Sequence, residues 1–332
     1  MVRRVGRAPL TGIDRVELAW LDHLRPSSKA LFLLRSSRGY ILLDPAGAEM
    51  LSDLAHGRRE PGRADMVSRL TGNGQRMRHR VEADLRSVCL ARALPSLLPK
   101  MLRAWLPRSC VYLNVGHSNY SDRILRALPE GVTNALMVHD TIPLDHPGFV
   151  VPGRSDQMRA MLTRAAHAAD RVIVPSIAVQ ARLSQHIDPG KLLVAPLGIT
   201  PLAAEPLPIN ASSKPYFVVI GTIEPRKNHR MLLEAWSLLQ DPPELHIIGR
   251  RGWRNTELFA LLDQHPLRGS KIFEHNQMDD GETHGYLAGA TALLMPSYAE
   301  GFGLPPLEAW ALGTPAVVSD LPVFRETLGA CG

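Results

Sequence analysis

Short apolar runs alternate with helical patterns along most of this chain, and this alternation restricts the possible folds more than any other feature. A long helical region is predicted over roughly 78–106, broken or kinked at Pro95 and Pro99. Strands that alternate with helices form parallel sheets covered on both faces, so the sequence predicts an α/β fold. The runs that predict strands are LFLLR, GYILL, CVYLNV, ALMVHD, RVIVPS and KLLVAP in the first half, and YFVVIG, ELHIIG, KIFEH, TALLM and PAVVS in the second.

The length and a proline-rich segment predict two domains. A chain of 332 residues exceeds what one hydrophobic core usually occupies. The segment ITPLAAEPLPINASSKP (199–215) lacks apolar periodicity, which is typical of a linker. We therefore predict one Rossmann-like domain over residues 1–198 and a second over 216–332, facing each other across a cleft.

The composition limits the partners and the compartment. A formal net charge of +6 favours anionic partners such as a nucleotide or a membrane surface. A nucleic acid is not expected, because the sequence has no aromatic-studded basic sheet or recognised motif. Cys89, Cys110 and Cys331 are far apart, so neither a disulfide framework nor a zinc site is predicted. This use of cysteine favours a reducing, cytoplasmic setting. Since the sequence shows no apolar signal core and no run of about 18 apolar residues, an integral membrane protein is not expected.

Two glutamates enclose a loop of glycines and prolines in PSYAEGFGLPPLEAWALGTPAVVSD (296–320). Glu300 follows the predicted strand TALLM, and Glu308 is expected in the first turn of the next helix. Both should lie at the carboxyl edge of a parallel sheet, where α/β folds bind ligands. The helix start favours an anion and the carboxylates suit a diol, a combination that a nucleotide sugar satisfies. Spacing alone also allows a surface loop residue and a carboxylate that only complements the helix dipole.

A basic pair follows the strand YFVVIG in GTIEPRKNH (221–229). Arg226 and Lys227 occupy a strand-to-helix loop at the carboxyl edge of the same sheet, and Asn228 is the predicted N-cap of the helix. Charge-assisted hydrogen bonds from such side chains to a diphosphate are worth roughly 1.5–3 kcal/mol each. An isolated basic pair would be two solvated cations, but these two share an edge with the glutamates. We therefore predict a site for a phosphorylated ligand.

The stretches GTIEPRKNHRMLLEAW and PSYAEGFGLPPLEAWALGTPAVVSD resemble the donor-domain signature of glycosyltransferase family 4, whose members are retaining, nucleotide-sugar-dependent enzymes of GT-B fold. Glu300 and Glu308 stand at the positions of the family's E-x7-E pair. The first half resembles the family more loosely, through TGIDRV, VHDTIPL and the PS at 175–176. The resemblance implies transfer of a hexosyl group, with mannosyl as a candidate, to a polysaccharide or lipid-linked glycan such as lipopolysaccharide.

The resemblance also implies a role for each matching residue. Glu300 would lie by the transferred sugar, and Glu308 would accept hydrogen bonds from the ribose hydroxyls. Lys227 would hold the diphosphate, and Gly12 would bring backbone N–H groups to it from the other domain. His139 would face the donor sugar, although a lone histidine after a strand is more often structural. The remaining predicted donor contacts are Thr222, Arg226, Gly301, Phe302, Gly303 and Leu304.

The sequence departs from the family pattern in three places. Many members have Arg where this chain has Thr222, and we expect Arg226 to supply that charge. Only MVRRVGRAPLT precedes Gly12, so the first domain is expected to lack its first strand. The chain stops at LGACG, so the second domain is expected to be truncated. The alternative hypothesis is therefore a catalytically silent nucleotide-sugar-binding module whose ends prevent closure.

No cofactor or metal ion is expected at the site. The sequence has no Asp-x-Asp, and its histidines lack metal-ligand spacing. We expect Arg226, Lys227 and the helix N-terminus to stabilise the leaving phosphate instead. By resemblance the two glutamates contact different parts of one donor, so no covalent nucleophile is assigned, and front-face displacement is the mechanism that the family implies.

The segment ALPSLLPKMLRAWLPR (93–108) combines apolar residues with Lys100, Arg103 and Arg108. We expect its apolar face to be core. The alternative is an amphipathic helix at the inner face of a membrane, where it would give access to a lipid-linked acceptor.

Overall fold

The computed structural model describes residues 10–69, 76–117, 119–199, 214–253 and 255–329, together with residues 5 and 202. The chain divides into two compact units, the first containing residues 1–137 and 167–172 and the second containing 138–166 and 173–332. Most of the predicted linker (199–215) lies outside the described residues, so the predicted domain boundaries stay a prediction.

The first unit contains helix α1 (Gly12–Leu24), which Thr11 and Asp14 start through reciprocal hydrogen bonds between side chain and backbone. A small antiparallel sheet follows, in the order β1-β2-β3. The turn between β1 and β2 is too short for a parallel crossover, so the expectation of parallel sheets throughout is wrong here. The elements are β1 (Phe32–Arg35), β2 (Tyr40–Leu43), α2 (Pro45–Ala55), α3 (Met66–Arg69), α4 (Arg76–Ser87) and β3 (Ala91–Ala93).

The long helix predicted over residues 78–106 is wrong. Helix α4 ends at Ser87, β3 pairs with β2, and α5 (Leu98–Trp105) starts after a 3₁₀ turn at Pro95–Leu97. The free edge of β2 accounts for the break, because the Leu90 N–H donates to the Leu42 carbonyl. Pairing with that edge satisfies backbone groups and buries β2, which outweighs the local helix preference.

The second sheet has four strands in the order β4-β5-β6-β7. Strands β4 and β5 are parallel, with register from Cys110 opposite Val132 to Asn114 opposite Leu136. The elements are β4 (Cys110–Asn114), α6 (Asp122–Leu125), β5 (Val132–Met137), α7 (Ile142–Asp145), α8 (Arg154–Ala168), β6 (Arg171–Val174), α9 (Ile177–Leu183) and β7 (Leu192–Val194). Each strand overlaps a run that predicts it, although β5 begins at Val132 and ends at Met137, three residues earlier than the predicted run ALMVHD.

The third sheet has five parallel strands in the order β10-β9-β8-β11-β12. Buried residues cover both faces, one packed with α10 and α11 and the other with α12 and α13. The elements are β8 (Tyr216–Ile220), α10 (His229–Leu238), β9 (Glu244–Ile248), α11 (Thr256–Gln264), β10 (Ile272–His275), α12 (Asp280–Gly289), β11 (Ala292–Met295), α13 (Leu304–Ala311), β12 (Ala316–Val318) and α14 (Pro322–Leu328).

In this sheet, the direction in which the chain adds strands reverses between β8 and β11. The chain runs from β8 to β9 on one side, and β11 pairs with β8 on the other, with Leu293 opposite Val218. Doubly wound sheets bind ligands at such a switch point, outside the carboxyl ends of the strands. The loops that follow β8 and β11 carry most of the predicted donor-site residues, whereas Gly12 and His139 lie elsewhere in the chain.

Candidate functional site

The loop after β8 is shaped by a close approach between its backbone and a lysine. Gly221 has φ +133°, and a Cβ at this position would lie 3.3 Å from Cε of Lys227. A 3₁₀ turn at Pro225–Lys227 then reverses the chain. Asn228 stands at the N-cap of α10 with left-handed backbone (φ 56°, ψ 38°), but its side chain makes no capping hydrogen bond. The sequence thus predicted its position correctly and its capping bond incorrectly.

A buried carboxylate joins the two loops. Oε2 of Glu300 lies 2.7 Å from Nη1 of Arg226, and Oε1 of Glu300 lies 2.7 Å from Nζ of Lys227. The side chains of Glu300 and Lys227 are only 7% and 8% exposed. Arg226 also donates to the Ala299 carbonyl at 3.0 Å, and its own carbonyl accepts from the Tyr298 N–H. The structure therefore brings together three of the predicted site residues on adjacent loops.

The ion pairs control the protonation of Glu300. Burial alone would raise the pKa of Glu300, but Lys227 and Arg226 overcome that effect and hold the pKa at about 2. Burial lowers the pKa of Lys227, and Glu300 opposes this shift. At neutral pH Glu300 is therefore ionised, and it cannot donate a proton in a reaction.

Two further carboxyl groups, Glu224 and Asp140, interact with the charge of Arg226, and the sequence analysis missed both. Oε1 of Glu224, a residue only 3% exposed, lies 2.5 Å from Nε of Arg226. Burial raises the pKa of Glu224 and of Asp140, while the charge of Arg226 opposes the shift in each. The signal for Glu224 was its position two residues before Arg226, whereas nothing local placed Asp140 here. Arg226 is thus held by carboxylates on more than one side.

His229 is a third residue that the sequence analysis did not single out. It opens α10 and is 2% exposed. Among the described residues, neither of its ring nitrogens has a hydrogen-bond partner. Burial, together with the nearby charge of Lys227, lowers the pKa of His229 to about 3, so the ring is neutral at physiological pH.

The loop after β11 is packed against a loop that contains His139. A Cβ on Gly301 would lie 2.3 Å from the His139 carbonyl oxygen and 2.8 Å from Cβ of Asp140. Gly303, with φ +90°, is the N-cap of α13, and a Cβ there would lie 2.5 Å from the ring of Phe324. Only glycine fits at both positions without displacing a neighbour. The two glycines therefore allow the backbone to approach its neighbours this closely.

The remaining predicted residues are placed as follows. Glu308 is buried (2% exposed) and is the fifth residue of α13, one position beyond the first turn in which it was expected. His139 is 7% exposed and Phe302 is 8% exposed, while Thr222 and Leu304 are half-buried. Their contacts with a donor stay predictions. Gly12 opens α1 and belongs to the first unit, and its role also stays a prediction.

No group of three or more His, Cys, Asp or Glu side chains in the described part of the chain could hold a metal ion. Across the same residues, no helix combines the length and the apolar character needed to cross a bilayer.

The segment that contains this site matches a known family. Residues 207–330 match the family model described as "Glycosyl transferases group 1". This segment is a group 1 glycosyl transferase domain. It contains Glu224, Arg226, Lys227, Glu300 and Glu308, so the buried ion pairs belong to the glycosyl transferase domain itself.

Curated relatives share parts of this chain. Over 219 residues it is 32% identical to the serotype-specific mannosyltransferase WbdA of Escherichia coli, an overlap that covers 59% of this chain and 27% of WbdA. Over 121 residues it is 36% identical to the O-antigen chain mannosyltransferase B of Escherichia coli, covering 35% of this chain and 32% of the relative. The chain therefore spans about a third or less of the length of these relatives.

A solved structure shows the fold of nearly the whole chain. Anabaena HepE in complex with UDP-glucose matches 96% of this chain and 79% of HepE, with a TM-score of 0.59 and 16% identity. The chain therefore has the GT-B fold, with two Rossmann-like domains, as the sequence analysis predicted.

Proposed function

We propose that this protein is a retaining, metal-independent glycosyltransferase of family 4. It transfers a hexosyl group, with mannosyl as the first candidate, from a nucleoside diphosphate sugar to a polysaccharide or lipid-linked glycan. The observation that carries the proposal is the buried Glu300 carboxylate, 2.7 Å from both Arg226 and Lys227 at the switch point of a doubly wound sheet. The group 1 domain and the two mannosyltransferase relatives support it.

Different site residues would bind the phosphates and the hydroxyl groups of the donor. Arg226 and Lys227 would hold the diphosphate, aided by the dipole of α13. Glu308, buried on α13, would accept hydrogen bonds from the ribose diol, and His139 and Glu300 would lie by the sugar. Because Glu300 already occupies both cations, the diphosphate must share them with Glu300 or displace it.

The proposed reaction exchanges one bond to the anomeric carbon for another on the same face. The bond from C1 to the diphosphate oxygen breaks as the bond from C1 to the acceptor oxygen forms. The acceptor hydroxyl gives its proton to the departing phosphate oxygen, so no protein base is needed. Arg226 and Lys227 would stabilise the negative charge that develops on the leaving group, which preorganised charges do without the reorganisation that water requires. This is the basis for proposing that no metal ion is needed.

Sugar-nucleotide turnover tests the proposal. GDP-mannose, UDP-glucose and ADP-glucose are offered with and without a glycan acceptor, and release of the nucleoside diphosphate is followed. We expect turnover of one donor, reduced about 100-fold or more in Glu300→Gln. Glu282→Gln is the matched control, because this exposed carboxylate caps α12 and lies outside the predicted site residues. Nucleotide binding without turnover would instead establish the silent module, and turnover abolished by a chelator would refute metal independence.

We also propose peripheral contact with an anionic bilayer through a basic surface on α5. Residues 85–121 contain no Asp or Glu but five Arg and Lys residues. Lys100 and Arg103 are exposed on α5; Trp105 at the end of this helix is 44% exposed, and Leu97 in the turn before it is 52% exposed. The other side of the helix is core, as predicted, since Leu98, Met101 and Leu102 are buried. Apolar side chains flanked by cations fit the interface of an anionic membrane.

Sedimentation with lipid vesicles tests this contact. We expect binding to vesicles that contain phosphatidylglycerol and at least about tenfold weaker binding by the Lys100→Glu/Arg103→Glu variant, since each basic residue is worth about 1 kcal/mol near such a surface. The control, Arg159→Glu/Arg171→Glu, makes the same change of charge on exposed residues outside α5. Equal losses in both variants would show that net charge rather than this surface is responsible.

A further inference from the structure

A serine outside the group 1 domain touches the loop that carries Glu300. Ser176 is the N-cap of α9 and is fully buried. Its Oγ accepts from the Val179 N–H at 3.1 Å and donates to the Gly301 carbonyl at 3.1 Å. One hydroxyl therefore starts a helix and holds the backbone next to Glu300.

A second side chain completes the same helix start from the opposite direction. Glu326, on α14, accepts from the Ile177 N–H at 2.7 Å through Oε1 and from the Ala178 N–H at 3.1 Å through Oε2. The first N–H groups of a helix have no partner within it, and a carboxylate is favoured there by charge as well. Glu326 thus links α14 to α9 by hydrogen bonds. Helix α9 is therefore bonded both to the Glu300 loop and to α14.

The Glu300 loop is consequently held on three sides. Ser176 bonds to the Gly301 carbonyl, the His139 backbone packs directly on Gly301, and Arg226 and Lys227 hold the Glu300 carboxylate. A small cleft beside Glu300 is lined by Thr141, Val179, Arg182 and Val323, among other residues. The main chain of this loop is held by residues 139 and 176 and, through Tyr298 and Ala299, by Arg226, whereas the Glu300 carboxylate is held by the β8 loop alone.

We propose that Ser176 and Glu326 are positioning residues that hold the Glu300 loop against the two cations. This inference rests on the proposed function for its effect on turnover, but the contacts themselves can be tested without it. Neither residue touches the reacting atoms. Loss of either contact would leave Glu300 able to drift from the position in which it meets the sugar, and small displacements of a positioned group cost large factors in rate.

Hydrogen exchange tests the positioning without any substrate. Amide exchange of the peptide 298–304 is measured by mass spectrometry in the full chain and in Ser176→Ala and Glu326→Gln. We expect exchange in this peptide to become about tenfold faster in both variants, and Ser176→Thr, which keeps the hydroxyl, to restore slow exchange. The controls are Ser52→Ala, which removes another fully buried hydroxyl, and Glu282→Gln, which weakens another carboxylate cap. Unchanged exchange in 298–304, or equal acceleration in the controls, would overturn the proposal.

A double-mutant comparison then tests the link to turnover. Ser176→Ala should lower kcat about tenfold and leave the affinity for the nucleoside diphosphate within about twofold of its value in the unmodified chain. In the Glu300→Gln background the same substitution should have no further effect on kcat, because its action passes through Glu300. A kcat loss of equal size in both backgrounds would show a general structural role and overturn the inference. Absence of any turnover by the unmodified chain would refute the proposed function, and the exchange measurement would still decide the positioning.

Discussion

Replacement of Glu300 by Gln should measure how much the ion pairs between the β8 loop and the β11 loop contribute to the free energy of unfolding. The pKa of Glu300 is about 2 instead of its ordinary 4.5, which corresponds to about 3 kcal/mol of folding free energy at neutral pH. Breaking a buried ion pair usually costs about 3–5 kcal/mol, because one charge is left unpaired. Here Lys227 has a pKa already lowered by burial, so it can release its proton once Glu300 is neutral. We therefore expect Glu300→Gln to lower the free energy of unfolding by about 3 kcal/mol at pH 7, at the lower end of that range.

The pH dependence of this loss has a definite sign. The pKa of Glu300 is lowered in the folded state, so its contribution is complete above pH 4.5 and is lost as the pH falls towards 2. The difference between the unmodified chain and Glu300→Gln should thus shrink to about 2 kcal/mol near pH 3.5. This difference is measured by urea unfolding, followed through tryptophan fluorescence, at pH 7, 5 and 3.5. Glu282→Gln is the control for an exposed carboxylate. A difference below about 0.5 kcal/mol at pH 7, or one that grows in acid, would refute the reasoning.

Three further substitutions have defined outcomes. Glu308→Gln should weaken nucleoside diphosphate binding about tenfold in a thermal-shift titration, and an unchanged shift would remove Glu308 from the donor site. Gly301→Ala should cost about 1–3 kcal/mol of stability in urea, because its Cβ would meet the His139 carbonyl at 2.3 Å; a neutral effect would mean that the loop moves freely. His229→Leu should reduce the loss of stability that the protein undergoes between pH 6.5 and 4. The pKa of His229 is lowered to about 3 in the folded protein, so over this range the unfolded chain binds a proton that the folded protein does not. An unchanged dependence of the free energy of unfolding on pH would contradict this.

The sequence was sufficient to locate most strands and the two loops of the site. Strands β8 and β11 were predicted from their apolar runs, and with them the positions of Lys227 and Glu300 at strand ends. These predictions succeeded because strand preference and turn chemistry depend on neighbouring residues. The prediction failed at β3, where the free edge of β2 overrode the local helix pattern.

The burial of the site could not be predicted from local sequence. Glu224, Asp140 and His229 are separated by up to 89 positions, yet the charge of Arg226 acts on the pKa of Asp140, that of Lys227 on the pKa of His229, and both on the pKa of Glu224. Their shifted pKa values come from desolvation, which depends on what covers a side chain rather than on its neighbours in the chain. The same reason explains why Ser176, noted only as a helix start, gave no sign of its bond to Gly301.

By itself the sequence determined which residues end strands, which loops carry acids and bases, and that helices and strands alternate, because these properties follow from short-range backbone preferences. Tertiary structure alone decided that β11 lies beside β8, that Glu300 meets both Arg226 and Lys227, and that the resulting ion pairs are shielded from water. Those outcomes depend on contacts between residues more than 70 positions apart, and their energies arise from burial in the assembled fold.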